Sequence, residues 1–297
     1  MVIDVHSHLF MEIYQCDNLP KSTSGLKNFD LSDILKKISK SGIENIVVVV
    51  QDGSNTNKIC GGSNLLAADL QSKSMGKFIG IGSFEPLDIY DNLNIESLDK
   101  LEYFIEKMKL KGLFFSPSYQ RFSLCNCKIY PFYLKAYDFN IPLYFHLAAL
   151  ASPAKLSPLE YGQIHLLDQI AIDFPKLKIN IEHMGFPWTE ELFAIMEHAE
   201  NIYTDISEII MRRPYVTARN LALAKEYKVI DRVMYGSDYL GSNITEYLNK
   251  IEKETDWIKF ELNNIIKKFG WPAISDKELD GILLNNALQF FNGTLSY

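Results

Sequence analysis

Eight short apolar runs, recurring about every 35 residues between segments of helical period, constrain this 297-residue chain more than any other feature. They lie at 2–8 (VIDVHSH), 45–50 (NIVVVV), 78–83 (FIGIGS), 112–116 (GLFFS), 142–147 (PLYFHL), 178–183 (KINIEH), 201–206 (NIYTDI) and 232–236 (RVMYG). Most are rich in Val, Ile, Phe and Tyr without alternation, as parallel strands covered on both faces must be. Helical spacing fills the gaps. Ser32 is placed to cap a helix through Ser39, Ile95 to Met108 has helical period, and Ser157-Pro158-Leu159-Glu160 has the form of an N-cap with a first-turn proline and a capping-box glutamate. Asn220 to Tyr227 and Ile251 to Phe269 are further helical stretches. Such alternation predicts an α/β fold of the (β/α)8 barrel type. The rival, a doubly wound open sheet, would want a Gly-x-Gly-x-x-Gly after the first strand, and none is present. No linker or low-complexity tract interrupts the pattern, so residues 1–297 read as one domain, with the last forty residues as a terminal helical cap.

Composition narrows the partners. Charged residues make up 23% of the chain and the net charge is −7, without a dense Lys/Arg run, which argues against nucleic acid. No apolar run is long enough to cross a bilayer, and polar residues at position 4 onward do not suit a signal peptide. A cytoplasmic protein acting on a small molecule is expected. Cys16, Cys60, Cys125 and Cys127 are expected to be reduced structural thiols, since four cysteines in a chain of this size make no disulfide framework. The polar segment 10–30 follows the first strand, where barrel loops carry function.

The first strand holds two of the six histidines, in Asp4-Val5-His6-Ser7-His8. Strict alternation would send Asp4, His6 and His8 into the barrel, with Ile3, Val5 and Ser7 under the outer helices. Polar groups there need a partner, and two imidazoles one residue apart can reach one cation. Alone, His-x-His is a weak signal. His146 and His183, however, close the fifth and sixth apolar runs, and Asp238 follows the eighth. All stand where a barrel builds its active site, at the C-terminal ends of strands. His165 and His198 fall in helical segments and read as surface or packing residues.

With these residues in view, the chain resembles the amidohydrolase superfamily, in the branch that includes aminocarboxymuconate-semialdehyde decarboxylase. The resemblance rests on "DVHSH", "PLYFH", "IEHMGFPW" and "MYGSDY", with "FIGIGSFEP", "KGLFFSPSYQ" and "ILLNNALQFF" matching further segments in the same order. It covers essentially the whole chain and is specific for fold and family, though not for substrate. It implies that His6, His8, His146 and Asp238 bind a divalent metal, and that His183 is a catalytic residue beside it. Asp238 would also contact the activated water, and Asp4 would support the site. Binuclear relatives carry an anionic bridge at the end of strand four. Here that strand reads Gly112-Leu113-Phe114-Phe115-Ser116, so one ion is expected, with zinc favoured by nitrogen-rich ligands.

The resemblance further implies a metal-dependent hydrolase, with activated water attacking a small ester, lactone or amide. The alternative is a non-oxidative decarboxylase of a small unsaturated or aromatic acid, since the same site can polarise either substrate. A metal-holding binding module is the third class. Arg121, Arg212 and Trp188 are candidate substrate contacts, the arginines because a guanidinium grips a carboxylate bidentately. A homodimer is possible by the same resemblance.

Overall fold

In the computed structural model, described for residues 1–15, 30–56, 58–148 and 155–292, each of the eight runs forms a strand. These are β1 (Val2–Leu9), β2 (Ile43–Val49), β3 (Phe78–Ser83), β4 (Gly112–Phe115), β5 (Leu143–Phe145), β6 (Ile179–Ile181), β7 (Ile202–Asp205) and β8 (Val233–Met234). They pair in parallel in sequence order. The sheet closes on itself where Val5 N–H donates to the Tyr235 carbonyl (3.0 Å) and Ser237 and Asp238 N–H donate to the His6 carbonyl (3.0 and 2.8 Å). Leu240–Gly241 then runs parallel to the end of β1. The result is a (β/α)8 barrel.

Two apolar layers follow from the strand period. Ile46 and Val48 face outward and pack with Ile34 and Ile38 of the helix Leu31–Ile38, and with the other outer helices. Val47 and Val49 face inward, with Ile79, Ile81, Phe114, Tyr144, Tyr203 and Met234. The C-terminal helix Asn286–Phe290 closes the floor by adding Ala287, Phe290 and Phe291 to this inner cluster. No helix among the described residues is long and apolar enough to cross a membrane.

Three local expectations are corrected. The helix 31–38 is capped by Asp30, whose carboxylate accepts from Asp33 N–H (3.1 Å), rather than by Ser32. Ser157 does not start a helix: Leu159–Tyr161 is one 3-10 turn, Gly162 ends it, and an α-helix forms only at Leu167–Asp173. Cys60 is disulfide-bonded, whereas Cys125 and Cys127 are free. A compartment argument bears on the redox environment, not on which side chains short strands bring within bonding distance; Cys16 lies outside the described residues. Of the expected functional loop 10–30, Ile13–Gln15 forms a short strand antiparallel to Ile59–Gly61, and 16–29 lie outside the described residues.

Candidate active site

The first strand departs from the expected alternation in a way that builds the site. Ile3 and Val5 belong to the inner apolar cluster, so Asp4 faces out. There it accepts from Ser237 N–H (2.8 Å), Ser237 Oγ–H (2.6 Å) and the Tyr247 hydroxyl (2.8 Å) of the helix Ile244–Asp256. A register shift between Asp4 and Ser7 against β2 then inserts one extra residue. Such a bulge reverses the facing of everything after it. His6 and His8 therefore turn inward despite following Val5, while the Ser7 hydroxyl donates outward to the Val47 carbonyl (2.8 Å). Gly236 makes room for this turn, since a Cβ there would stand 2.9 Å from the His6 Cβ.

Six side chains meet at the C-terminal rim in two groups of three. In the first, His6 Nε2 and His8 Nε2 are 3.3 Å apart, and Asp238 Oδ1 is 3.5 Å from each. In the second, His146 Nδ1 lies 3.2 Å from both His183 Nε2 and Glu182 Oε2, which are themselves 3.8 Å apart. Glu182 links the groups, because its other oxygen, Oε1, is 3.2 Å from His6 Nε2. Four described carboxylates, Glu182, Asp205, Glu208 and Asp238, crowd this end of the barrel, and the mouth is a cavity of about 280 Å³.

A single serine sets two of the imidazoles. Ser207 Oγ–H donates to Asp205, so the oxygen accepts from His6 Nδ1 and from His183 Nδ1, both at 2.9 Å. His183 Nδ1 also faces the Ser207 carbonyl (3.1 Å), which can only accept. His8 Nδ1 similarly donates to the Val49 carbonyl (2.8 Å). In the neutral form, with the proton on Nδ1, each of the three rings would turn an Nε2 lone pair toward the cavity, the orientation outer partners impose on metal-binding histidines, and a cation there would take the place of the Nε2 proton that the carboxylates favour on His6. His183 itself has φ of 57° and Met184 of 54°. This left-handed turn lets the consecutive residues Glu182 and His183 both reach the mouth.

Charge and burial pull these groups apart. Burial disfavours the charged form of His6, yet the carboxylates of Glu182, Asp238 and Asp205 push it up to about 10. Burial, then the positive His6, bring His8 down to about 3. Burial and the neighbouring His146 and His6 hold His183 well below its usual range. Burial raises Asp238 to about 7, with Glu182 and Glu208 adding to it against the opposing pull of His6.

The sequence candidates are distributed as follows. His8, His146, His183, Asp238 and Arg212 line the cavity, and His6 lies buried directly behind them. Arg121 instead donates to the Lys155 carbonyl (3.2 Å), and Trp188 packs against the outer apolar layer; neither lines the cavity among the described residues. His165 and His198 are exposed, the latter 2.7 Å from Asp168. Glu182, Asp205, Ser207 and Glu208 were not anticipated. Asp205 stands near the end of the seventh run and Ser207 directly after it, so the strand-end rule that selected His146, His183 and Asp238 applies to them equally. Glu182 was hidden by the assumption that neighbours on a strand face opposite ways.

The donor set fits a divalent ion. Metal–nitrogen distances of about 2.0–2.1 Å in tetrahedral geometry place ligand atoms roughly 3.3–3.4 Å apart, and the first group's edges are 3.3–3.5 Å. Glu182 Oε1, on a side chain that is 1% exposed, makes no aligned hydrogen bond and faces His6 Nε2 at 3.2 Å, a charge pairing that a cation could replace.

Known proteins agree with this architecture. The fold is similar to an uncharacterised TIM-barrel protein from Bordetella bronchiseptica (TM-score 0.68, 17% identity, 99% of each chain covered). It is similar also to a probable 2-pyrone-4,6-dicarboxylic acid hydrolase from Acinetobacter baumannii (0.63, 12%, 98% of this chain and 99% of that one). A 2,6-dihydroxybenzoate decarboxylase from Rhizobium is comparable (0.63, 15%, 98% of each). No curated protein matches by sequence. The family profile described as amidohydrolase matches residues 3–293, and the chain belongs to that family.

Proposed function

We propose that the protein is a metal-dependent hydrolase of a small ester, lactone or amide. The observation that carries this reading is the convergence of His6, His8 and Asp238 to within 3.5 Å at the mouth, with the Nδ1 atom of each ring held by an outer partner so that Nε2 faces the others. His6, His8 and Asp238 would hold the ion, zinc by donor type, with His146 on the opposite wall. When bound there, such an ion supplies Lewis acidity and water of lowered pKa.

The chain's own residues would do the rest. Asp238 stands between the ion ligands and the open cavity, placed to take a proton from the attacking water and return it to the leaving group. His146 and His183 form the facing wall, where the substrate would lie, with His183 placed to hold or move a proton at Nε2. Ser207 and Asp205 keep His6 and His183 oriented through the cycle. Phe114, Met11 and Tyr119 wall the cavity and limit the space for bulk water.

A second reading, non-oxidative decarboxylation, is favoured by Arg212. It lines the same cavity, and although its Nη1 donates to Glu208, the rest of the guanidinium fork could meet a substrate carboxylate. The test is to assay zinc-loaded protein against panels of esters, lactones, amides and unsaturated or aromatic acids. Acid release from the first three supports hydrolysis. Bicarbonate release without hydrolysis establishes the second reading, and inactivity on all panels by protein shown to hold the ion sinks both.

A further inference from the structure

A second cavity lies beside the mouth and shares Gln51 with it. About 430 Å³ in volume, it opens between the ends of β2 and β3 and the first turns of the helices Asn64–Lys73 and Ile95–Glu106. It holds a buried acid. Glu85 is 2% exposed, and its Oε1 accepts from Asn55 N–H (3.0 Å) and Thr56 N–H (3.3 Å) and lies 3.1 Å from the Thr56 hydroxyl. Its Oε2 makes no hydrogen bond among the described residues. Asp52 lines the same cavity: Oδ1 accepts from Ser54 N–H (3.1 Å), and Oδ2 has no hydrogen-bond donor among the described residues. Neighbouring polar groups are already committed. Ser63 and Asn94 cap the two helices, accepting from Leu66 and Ser97 N–H (3.1 Å each). Asn64 is tied to both backbone groups of Ser83, and Lys100 pairs with Glu96 (2.6 Å). Phe84 and Phe104, with ring centres 5.9 Å apart, give the cavity an apolar side.

Two carboxylate oxygens without donors, beside a lysine that is already paired, favour a positive partner. A metal ion suits poorly, because among the described residues three ligating side chains gather only at the mouth. The volume falls instead in the range of small-molecule sites, and an aromatic side suits the carbon part of an organic cation. We propose that this cavity is a second ligand site, taking a small organic ammonium compound whose nitrogen lies against Glu85 and Asp52 and whose carbon chain lies along Phe84 and Phe104. It stands apart from the ion at the mouth and does not depend on the hydrolase reading. Burial, and then the Asp52 charge, raise Glu85 to about 8. The charged groups lining the cavity with it are Asp52, Glu96 and Lys100, while the helix Asn64–Lys73 presents only the uncharged Asn64 and Leu65. Only the Glu85 anion pairs with an ammonium, so binding expels a proton near neutral pH and tightens as pH climbs through about 8.

The experiment is calorimetric titration of the full-length protein with n-butylammonium at pH 6, 7 and 9, with n-butanol as the uncharged counterpart. At pH 7 it is repeated in buffers of different ionisation enthalpy, which reads the proton released. One equivalent is expected, with proton release at pH 7, affinity at pH 9 at least about 10-fold above that at pH 6, and no binding of n-butanol. Glu85→Gln should weaken binding at pH 9 by about 10-fold or more and abolish the proton release. Asp52→Asn should weaken it too, which guards against a folding defect peculiar to position 85. Absence of saturable binding overturns the proposal. So does binding that survives both substitutions, which would place the amine elsewhere, and so does equal binding of n-butanol, which would make the cavity merely apolar. Calcium bound in place of the amine, and lost in both variants, would replace the organic cation by a metal and overturn it as well.

Discussion

The same eight strands carry two opposite chemistries at their two ends. At the floor, Ile3, Val5, Val47, Val49, Tyr203, Phe290 and Phe291 interdigitate as a closed apolar plug. At the rim, a few residues further along the strands, buried histidines and carboxylates crowd to 3.2–3.8 Å of one another. The floor gains free energy by burying carbon, about 25 cal/mol per Å². The rim spends some of it, because burying like polar groups together is unfavourable until a ligand arrives. The lesson is a division of labour along the barrel axis, so damage at one end should leave the other end's property in place.

The largest test of that separation is His6→Ala. Ion affinity should fall by well over the 10–100-fold typical of losing an outer partner, while the far-UV spectrum stays that of a folded barrel. Calorimetric titration with zinc checks it; unchanged affinity would place the ion elsewhere. The converse is Phe290→Ala at the floor, a fully buried ring of the plug. It should cost about 3–5 kcal/mol in denaturant unfolding with ion stoichiometry unaltered. If stoichiometry falls in parallel with stability, the two ends are not independent.

A third test uses pH. Glu85, just past β3 and 2% exposed, is raised from 4.5 to about 8, chiefly by burial and then by the Asp52 charge, against hydrogen bonds from Asn55 and Thr56. A carboxyl whose folded pKa is raised holds its proton more tightly when folded. Its contribution is therefore full below pH 4.5 and is lost as pH climbs through about 8. Stability should decline by a few kcal/mol from this group across that window, and Glu85→Gln, which can keep the acceptor oxygen, should flatten the decline. Urea midpoints at pH 5 and pH 9 measure it. The smallest effect is expected from Ser207→Ala. It removes the oxygen that both His6 and His183 donate to, so ion affinity should drop roughly 10–100-fold with little loss of stability. A change confined to stability would make Ser207 a packing residue only.

Much of the fold was legible because parallel strands buried on both faces must be continuously apolar, and all eight runs became strands with ends shifted by a few residues. The rim positions of His146, His183 and Asp238 were legible for the same reason: strand ends can be read where strands can. Glu182 was not, because two successive left-handed residues after β6 cancel the alternation on which facing is judged. Arg121 and Arg212 look alike in sequence, yet only Arg212 reaches the cavity; Arg121 is spent on the Lys155 carbonyl across a loop.

The sequence by itself determined the barrel, its parallel order and which strand ends bear ligand-type side chains, because period and hydrophobicity are local quantities. Tertiary structure alone decided how those side chains meet. The extra residue in β1, the room left at Gly236 and the shared hydrogen bonds of Ser207 each depend on atoms brought together from distant strands. A separation of a few tenths of an ångström between nitrogen and oxygen, which decides whether a cation fits, is a property of the closed barrel rather than of any one strand within it.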